Sequence, residues 1–212
     1  MKELKEFVSE RLLEQKAVKL QPNNPFVWAN GWQCPIYFDS RKLLSYPRSR
    51  CMLKLEMSRV VLEHFQDVEV IAAVAPNAIA VGVMVAEELG LPFVYVNPMP
   101  KDHGFENSIE GELKPRQKVV IIDDQLSVGC KCTRVQEILE RDGSKVIGLV
   151  AIFDYNLAEG KKRLADNGLK HYALTNFSNL IRNAALDGKL SADGEKELLK
   201  WQSNPAEWKV EK

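Results

Sequence analysis

The sequence predicts an α/β fold in which a central parallel sheet is covered by helices on both faces. Short, strongly apolar segments alternate with segments whose apolar residues recur at helical spacing. A strand returns about every 25–30 residues, which is typical of strand–helix–strand units. One segment, residues 119–122, is continuously apolar rather than alternating, as expected for a strand that is buried on both faces of a sheet.

The N-terminal part of the chain predicts a helix followed by an aromatic, irregular segment. Residues 3–16 place apolar side chains at helical spacing, which predicts an amphipathic helix. Residues 21–41 contain five aromatic side chains around Gly31 and Pro35, and this pattern predicts a hairpin or short extended segments. These aromatic rings fit either a small satellite core beneath the first helix or a surface that stacks on a ligand. The sequence leaves both interpretations open.

The remaining elements follow from the same two patterns. Helices are expected over residues 48–65, 79–89, 133–141, a short stretch around Gly160, 177–186 and 192–201. Buried strands are expected over residues 68–75, 92–96, 119–122 and 145–153, with a candidate edge strand over 171–174.

A long excursion, residues 97–115, separates two of the predicted strands. Such loops in compact domains are usually functional lids or disordered segments. Lys101 and His103 could bring charge from this loop onto an anionic ligand, although a lone histidine in a loop is more often solvated.

Bulk properties narrow the class of protein. At 212 residues without a convincing linker, the chain fits a single domain over 1–212. The charge balance, 29 acidic against 29 basic residues, does not predict a nucleic-acid or membrane-surface binder. No apolar run approaches the ~20 residues of a membrane span, and the charged N-terminus does not resemble a signal peptide. Four cysteines without metal-site or C-x-x-C spacing agree with reduced thiols, so we expect a cytoplasmic protein.

The strongest motif follows the strand at 119–122. Asp123 and Asp124 come directly after it, then a short loop with Ser127 and Gly129, then a helix. Ligands of parallel sheets bind beyond the carboxyl ends of strands, and a helix N-terminus offers N–H groups to an anion. Two carboxylates would repel that anion unless they bind hydroxyls or a cation, so the motif predicts a sugar phosphate. A strand-to-helix turn with solvated acids has the same spacing, and the spacing alone leaves both readings open.

Six segments together resemble the orotate phosphoribosyltransferase family, in its Bacillus- and Bacteroides-like bacterial subgroup. They are Phe-Val-Trp-Ala-Asn-Gly at 26–31, Pro-Ile-Tyr-Phe-Asp-Ser-Arg at 35–41, Leu-Ser-Tyr-Pro at 44–47, Pro-Lys-Asp-His-Gly at 100–104, Ile-Glu-Gly at 109–111 and Asn-Pro-Ala-Glu-Trp at 204–208. The resemblance implies the type I phosphoribosyltransferase fold, a central parallel sheet flanked by helices with a small N-terminal hood over about 18–45.

The same resemblance implies a reaction and an assembly. Enzymes of the family join orotate to phosphoribosyl diphosphate in pyrimidine nucleotide synthesis, giving orotidine 5′-phosphate and diphosphate. Mg²⁺ is expected through the phosphoribosyl diphosphate, so no protein ligand to the metal is assigned. A homodimer is implied, in which the mobile loop 97–115 of one subunit reaches the neighbouring site.

The resemblance also implies roles for individual residues. Asp123 and Asp124 match the acidic pair on the ribose hydroxyls, Ser127 matches a hydroxyl that contacts orotate, and Gly129 matches a glycine of the 5′-phosphate loop. Further matches are Lys101 and His103 over the diphosphate, Tyr37 and Phe38 beside the orotate ring, Val128, Cys130 and Lys131 in the phosphate loop, Asn77 in the diphosphate loop, and Asn97 in the mobile loop. Fixed donors and cations at such a site stabilise the charge that develops in the transition state.

Several of these positions depart from the family pattern and motivate an alternative. Val128 stands where the family has threonine, and Cys130 where it has a glycine that permits positive φ or close backbone approach. Asn97 stands where the family has arginine, and Pro76 removes an N–H from the diphosphate loop. Lys131 could fill the pocket or supply a replacement cation. Losing a hydrogen bond to a charged group costs ~1.5–3 kcal/mol, so several losses would slow turnover ~10³-fold or more. The alternative is therefore a catalytically impaired relative that binds a nucleotide or phosphoribosyl ligand in a regulatory role.

Overall fold

A computed structural model describes residues 4–28, 31–99 and 108–210. Its helices are α1 (Leu4–Glu14), α2 (Pro47–His64), α3 (Ile79–Leu89), α4 (Cys130–Arg141), α5 (Ala158–Asp166), α6 (Phe177–Leu186) and α7 (Ala192–Ser203), with a 3₁₀ helix at Ser40–Ser45. Its strands are β1 (Val18–Leu20), β2 (Phe26–Val27), β3 (Gln33–Cys34), β4 (Ile36–Phe38), β5 (Val70–Val74), β6 (Phe93–Val96), β7 (Ile109–Glu110), β8 (Lys118–Leu126), β9 (Lys145–Asp154) and β10 (His171–Asn176).

The main sheet has the strand order β10-β9-β8-β5-β6-β7. All neighbouring pairs are parallel except β6 and β7, which pair antiparallel at one edge. Every residue of β5 is buried, because the helices cover this central strand on both faces. The predicted α/β fold with a mostly parallel sheet is confirmed.

The predicted end of β8 is wrong. The apolar run ends at Ile122, but the ladder with β9 continues, pairing Asp123 with Ala151 and Gln125 with Phe153. The strand therefore carries both acids inside the sheet and ends at Leu126. Helix α4 likewise begins at Cys130, earlier than the predicted start at residue 133.

Two small antiparallel pairs form the N-terminal part of the structure. Strand β1 pairs with β4, and β2 pairs with β3. The β2–β3 hairpin is attached to the C-terminal part of the chain, because Trp201 Nε1 donates a 2.9 Å hydrogen bond to the carbonyl oxygen of Gln33. Helix α7 therefore fixes the position of this hairpin. Among the described residues, none of the helices combines the length and apolar character that a membrane span requires.

Candidate active site

A cavity of about 350 Å³ lies at the carboxyl ends of β5 and β8. Its walls are the ends of these two strands, the loop and first turn of α4 at 127–132, and the side chains of Trp28 and Asn77. Because β5 and β8 are parallel neighbours, the position agrees with the rule that ligands of such sheets bind beyond the strand ends.

Asp123 and Asp124 form the acidic part of the cavity wall, and each is 4% exposed. The alternative of a turn with solvated acids is therefore wrong. Oδ1 of Asp123 accepts a 2.8 Å hydrogen bond from the backbone N–H of Asp124, and Oδ2 accepts one of 3.0 Å from Sγ of Cys132. Oδ2 of Asp124 accepts a 3.3 Å bond from the Ser40 hydroxyl.

The environment raises the pKa of both carboxyl groups. Burial raises the pKa of Asp123 well above its usual range, and the charge of Asp124 raises it further. Burial also raises the pKa of Asp124, but hydrogen bonding with Asp123, the charge of Lys131 and hydrogen bonds from Ser40 and Asn77 oppose that rise. Such a pair favours a ligand that brings hydroxyl donors or a cation.

The start of α4 is suited to an anion. Its N-cap is Gly129, whose φ of 78° is in the left-handed region, and within the described chain no side chain caps the helix there. The first N–H groups of a helix have no partner within the helix, and its dipole favours negative charge. The backbone at residues 129–131 is thus a candidate phosphate site.

Cys130 and Lys131 do not fill this site. Both side chains are exposed, and the cavity that they line is open. Of the two reasons for a glycine at position 130, the need for positive φ is wrong, because that conformation belongs to Gly129 and Cys130 is the first residue of α4. Lys131 acts instead as a cation near the acidic pair, since its charge lowers the pKa of Asp124.

Helix α5 packs against the backbone of the loop at 127–128. A Cβ atom on Gly160 would lie 2.0 Å from the carbonyl oxygen of Ser127, which is far inside van der Waals contact. Glycine therefore lets α5 pack directly against the loop backbone. Sequence reasoning did not identify this contact, because it joins residues that are distant in the chain.

The structure brings most of the predicted site residues together, but not all. The cavity is lined by Asn77, Asp123, Asp124, Ser127, Val128, Gly129, Cys130 and Lys131. Lys101 and His103 lie outside the described residues. Asn97 does not line the cavity, and its Oδ1 accepts a 3.0 Å hydrogen bond from the N–H of Met99.

Two predicted aromatic residues also lie away from this cavity. Phe38 is buried and stacks on Phe153 with ring centroids 5.2 Å apart, and Tyr37 packs against Phe26 at the same centroid distance. For Phe38 the satellite-core interpretation therefore holds in this structure. Trp28 and Cys132, which the sequence did not single out, line the cavity instead.

Comparisons with known proteins identify full-length relatives that share one name. No protein-family model matches the chain. The orotate phosphoribosyltransferase of Porphyromonas gingivalis is 46% identical over 99% of this chain and 100% of its own length. That of Phocaeicola vulgatus is 47% identical over 100% of both chains.

Solved structures show the same fold at lower identity. The orotate phosphoribosyltransferase of Aeropyrum pernix has a TM-score of 0.75 at 23% identity, covering 84% of this chain and 98% of that one. The adenine phosphoribosyltransferase of Thermoanaerobacter pseudethanolicus has a TM-score of 0.60 at 21% identity, covering 78% of this chain and 99% of that one. From the full-length relatives and the shared type I phosphoribosyltransferase fold, it follows that the chain belongs to the orotate phosphoribosyltransferase family.

Proposed function

We propose that the chain transfers the phosphoribosyl group of phosphoribosyl diphosphate to orotate, giving orotidine 5′-phosphate and diphosphate in pyrimidine nucleotide synthesis. The observation that carries this proposal is the 46–47% identity, over the whole chain, to bacterial enzymes of that name. The buried acidic pair beside an uncapped helix N-terminus supports it, because a sugar phosphate needs both features.

The phosphate end of the ligand is assigned to the loop and first turn of α4. Backbone N–H groups at 129–131 would donate to the 5′-phosphate, and Lys131 would add a positive charge at the mouth of the cavity. Ser127 would reach the orotate end of the ligand, as the family resemblance implies. Val128 contributes its backbone only, since its side chain has no hydroxyl to donate.

The ribose is assigned to Asp123 and Asp124. An ionised carboxylate accepts hydrogen bonds from ribose hydroxyls, and it stabilises positive charge on the sugar ring as the diphosphate leaves. Ser40 and Asn77 orient Asp124 for this task through their hydrogen bonds. The low exposure of both acids strengthens these interactions, because water screens them less.

The residues present fit a magnesium ion that arrives with its substrate. Among the described residues there is no cluster of three potential metal ligands. Mg²⁺ is commonly bound by one or two carboxylates together with substrate phosphates, and Asp123 and Asp124 supply that pair. When bound, the ion would neutralise charge on the departing diphosphate. Lys101 and His103 are proposed to close over the same diphosphate.

The assembly and location belong to the same proposal. The chain would act as one domain over 1–212, with a hood at about 18–45 and a mobile loop at about 97–115 that reaches the site of a partner in a homodimer. Exposed apolar side chains on α2 and α3, Leu55, Leu62 and Val83, support a contact between copies. Four free cysteines support a reducing compartment, the cytoplasm.

A catalytically impaired relative is not favoured. The named enzymes match the whole chain, and Cys130, one of the departures that motivated this alternative, takes an ordinary helical position without blocking the cavity. An enzyme for another base is also less supported, since the named full-length relatives are orotate enzymes.

The test is an absorbance assay of orotate with phosphoribosyl diphosphate and Mg²⁺. We expect orotate to be consumed by the wild-type protein, and consumption to be lost in Asp124→Asn and on chelation of Mg²⁺. Adenine in place of orotate should give no nucleotide. A folded wild-type protein that consumes no orotate at micromolar concentration would overturn the proposal. Tight calorimetric binding of orotidine 5′-phosphate by such an inactive protein would favour the impaired relative.

A further inference from the structure

Trp28 is the aromatic wall of the cavity. Among the described residues that line it, Trp28 is the one with an aromatic side chain; the others are acids, amides, small residues, Val74, Val128 and Lys131. It lies just after β2, in the hairpin that α7 anchors, whereas the acids and the phosphate loop belong to the main sheet. The cavity therefore has a polar side for a sugar phosphate and one large flat surface.

The indole of Trp28 is held in place on several sides. Tyr155 and Trp201 pack against it in T-shaped pairs, with ring centroids 5.4 Å and 5.8 Å away and interplanar angles of 82° and 84°. Both of these rings are buried. Trp32 lies nearly parallel to Trp28, with ring centroids 6.5 Å apart.

This arrangement leaves Trp28 with an apolar function. The backbone N–H of Trp28 is engaged, because it donates to the carbonyl oxygen of Trp32 at 2.9 Å. A ring held in place in this way can offer a ligand its carbon surface, which suits a planar, unsaturated group.

We propose that Trp28 is a specificity-determining residue that packs against the planar base at the orotate end of the ligand, and that Trp201 of α7 positions it. This inference rests on the proposed function. It assigns the base contact to Trp28 and not to Phe38, which is occupied by its stack on Phe153. The base subsite is thereby built partly from the C-terminal helix, since Trp201 both contacts Trp28 and holds Gln33 of the hairpin.

Steady-state kinetics test the proposal. Trp28→Ala should raise the KM for orotate roughly tenfold, as expected for a lost aromatic stack, and change the KM for phosphoribosyl diphosphate less than about twofold. Trp28→Phe should recover most of the orotate affinity. Trp201→Phe should give a smaller rise in the same constant. An unchanged orotate KM in Trp28→Ala, or an equal rise in both constants, would overturn it.

Fluorescence gives a second readout that does not require turnover. Orotidine 5′-phosphate should quench the tryptophan emission of the wild-type protein and of Trp208→Phe, the control, but should quench Trp28→Phe much less. Equal quenching in Trp28→Phe and in the control would overturn the inference even if Trp28→Ala fails to fold. If the wild-type protein consumes no orotate, the proposed function is wrong. The quenching comparison does not depend on turnover, so it still decides whether Trp28 contacts the nucleotide.

Discussion

The thiol of Cys132 donates a hydrogen bond to Oδ2 of Asp123 across 3.0 Å, and both groups are buried. Cys132 lies in the first turn of α4, so the bond ties the helix that offers the phosphate site to the strand that offers the acids. Burial and the nearby carboxylates raise the pKa of the Cys132 thiol well above its usual range, which keeps the thiol protonated as a donor. The phosphate and ribose parts of the site are therefore coupled through one side chain.

Removing this thiol should change the pH profile of the reaction. The Cys132 hydrogen bond lowers the pKa of Asp123, so Cys132→Ala should raise that pKa further. The acidic limb of kcat/KM should then move to higher pH, and Cys132→Ser, which keeps a donor, should return it toward the wild-type position. If the acidic limb of kcat/KM lies at the wild-type pH in both Cys132→Ala and Cys132→Ser, the thiol does not affect the pKa of Asp123.

Asp123→Asn should stabilise the free protein while it abolishes turnover. A carboxyl whose pKa is raised by folding contributes stability that is fully present below its unfolded pKa of about 3.9 and is lost as pH rises through the folded pKa. The asparagine cannot ionise, so its advantage should appear at neutral pH and shrink toward pH 4. Thermal unfolding across pH measures this, with exposed Asp193→Asn as the control. A lower unfolding temperature for Asp123→Asn at pH 7 would contradict the account.

Changes at Val128 and Cys130 should have different effects on phosphate affinity. Val128→Thr adds a hydroxyl in the loop that lines the cavity, and a hydrogen bond to a charged group is worth ~1.5–3 kcal/mol. Cys130→Gly should give no such gain, because Cys130 already has helical backbone at the start of α4 and glycine adds no hydrogen-bond donor. Calorimetry with orotidine 5′-phosphate compares the two variants. Tighter binding by Cys130→Gly than by Val128→Thr would mean that residue 130 limits the site.

Gly160→Ala should displace the phosphate loop, because Gly160 of α5 packs against the loop backbone. The new Cβ would lie 2.0 Å from the Ser127 carbonyl oxygen, so the loop or α5 must shift. A displacement of this kind should raise the KM for phosphoribosyl diphosphate roughly tenfold to hundredfold. Gly194→Ala in α7 is a matched control, because its Cβ would meet the flexible end of Leu190 at 2.8 Å. Equal KM values for phosphoribosyl diphosphate in the two variants would show that Gly160 does not position the phosphate loop.

The sequence predicted the sheet and much of the site because both depend on local patterns. A continuous apolar run identifies a buried strand, and an acidic pair before a small-residue loop identifies the ligand end of β8. The end of the strand was missed, since Asp123 is kept in the ladder by β9 and not by its own propensity. Contacts between segments that are distant in the chain were also missed, because no local pattern records them. Whether Trp28 or Phe38 faces the ligand depends on Trp201 and Phe153, and no spacing within the hood encodes that choice.

A crystal structure with orotidine 5′-phosphate tests the central claim most directly. The account predicts phosphate oxygens within hydrogen-bond distance, about 2.7–3.2 Å, of the backbone nitrogens at 129–131. It also predicts that Asp123 and Asp124 contact the ribose hydroxyls. A nucleotide bound elsewhere, or a phosphate excluded from the start of α4 by the side chain of Cys130 or Lys131, would contradict it.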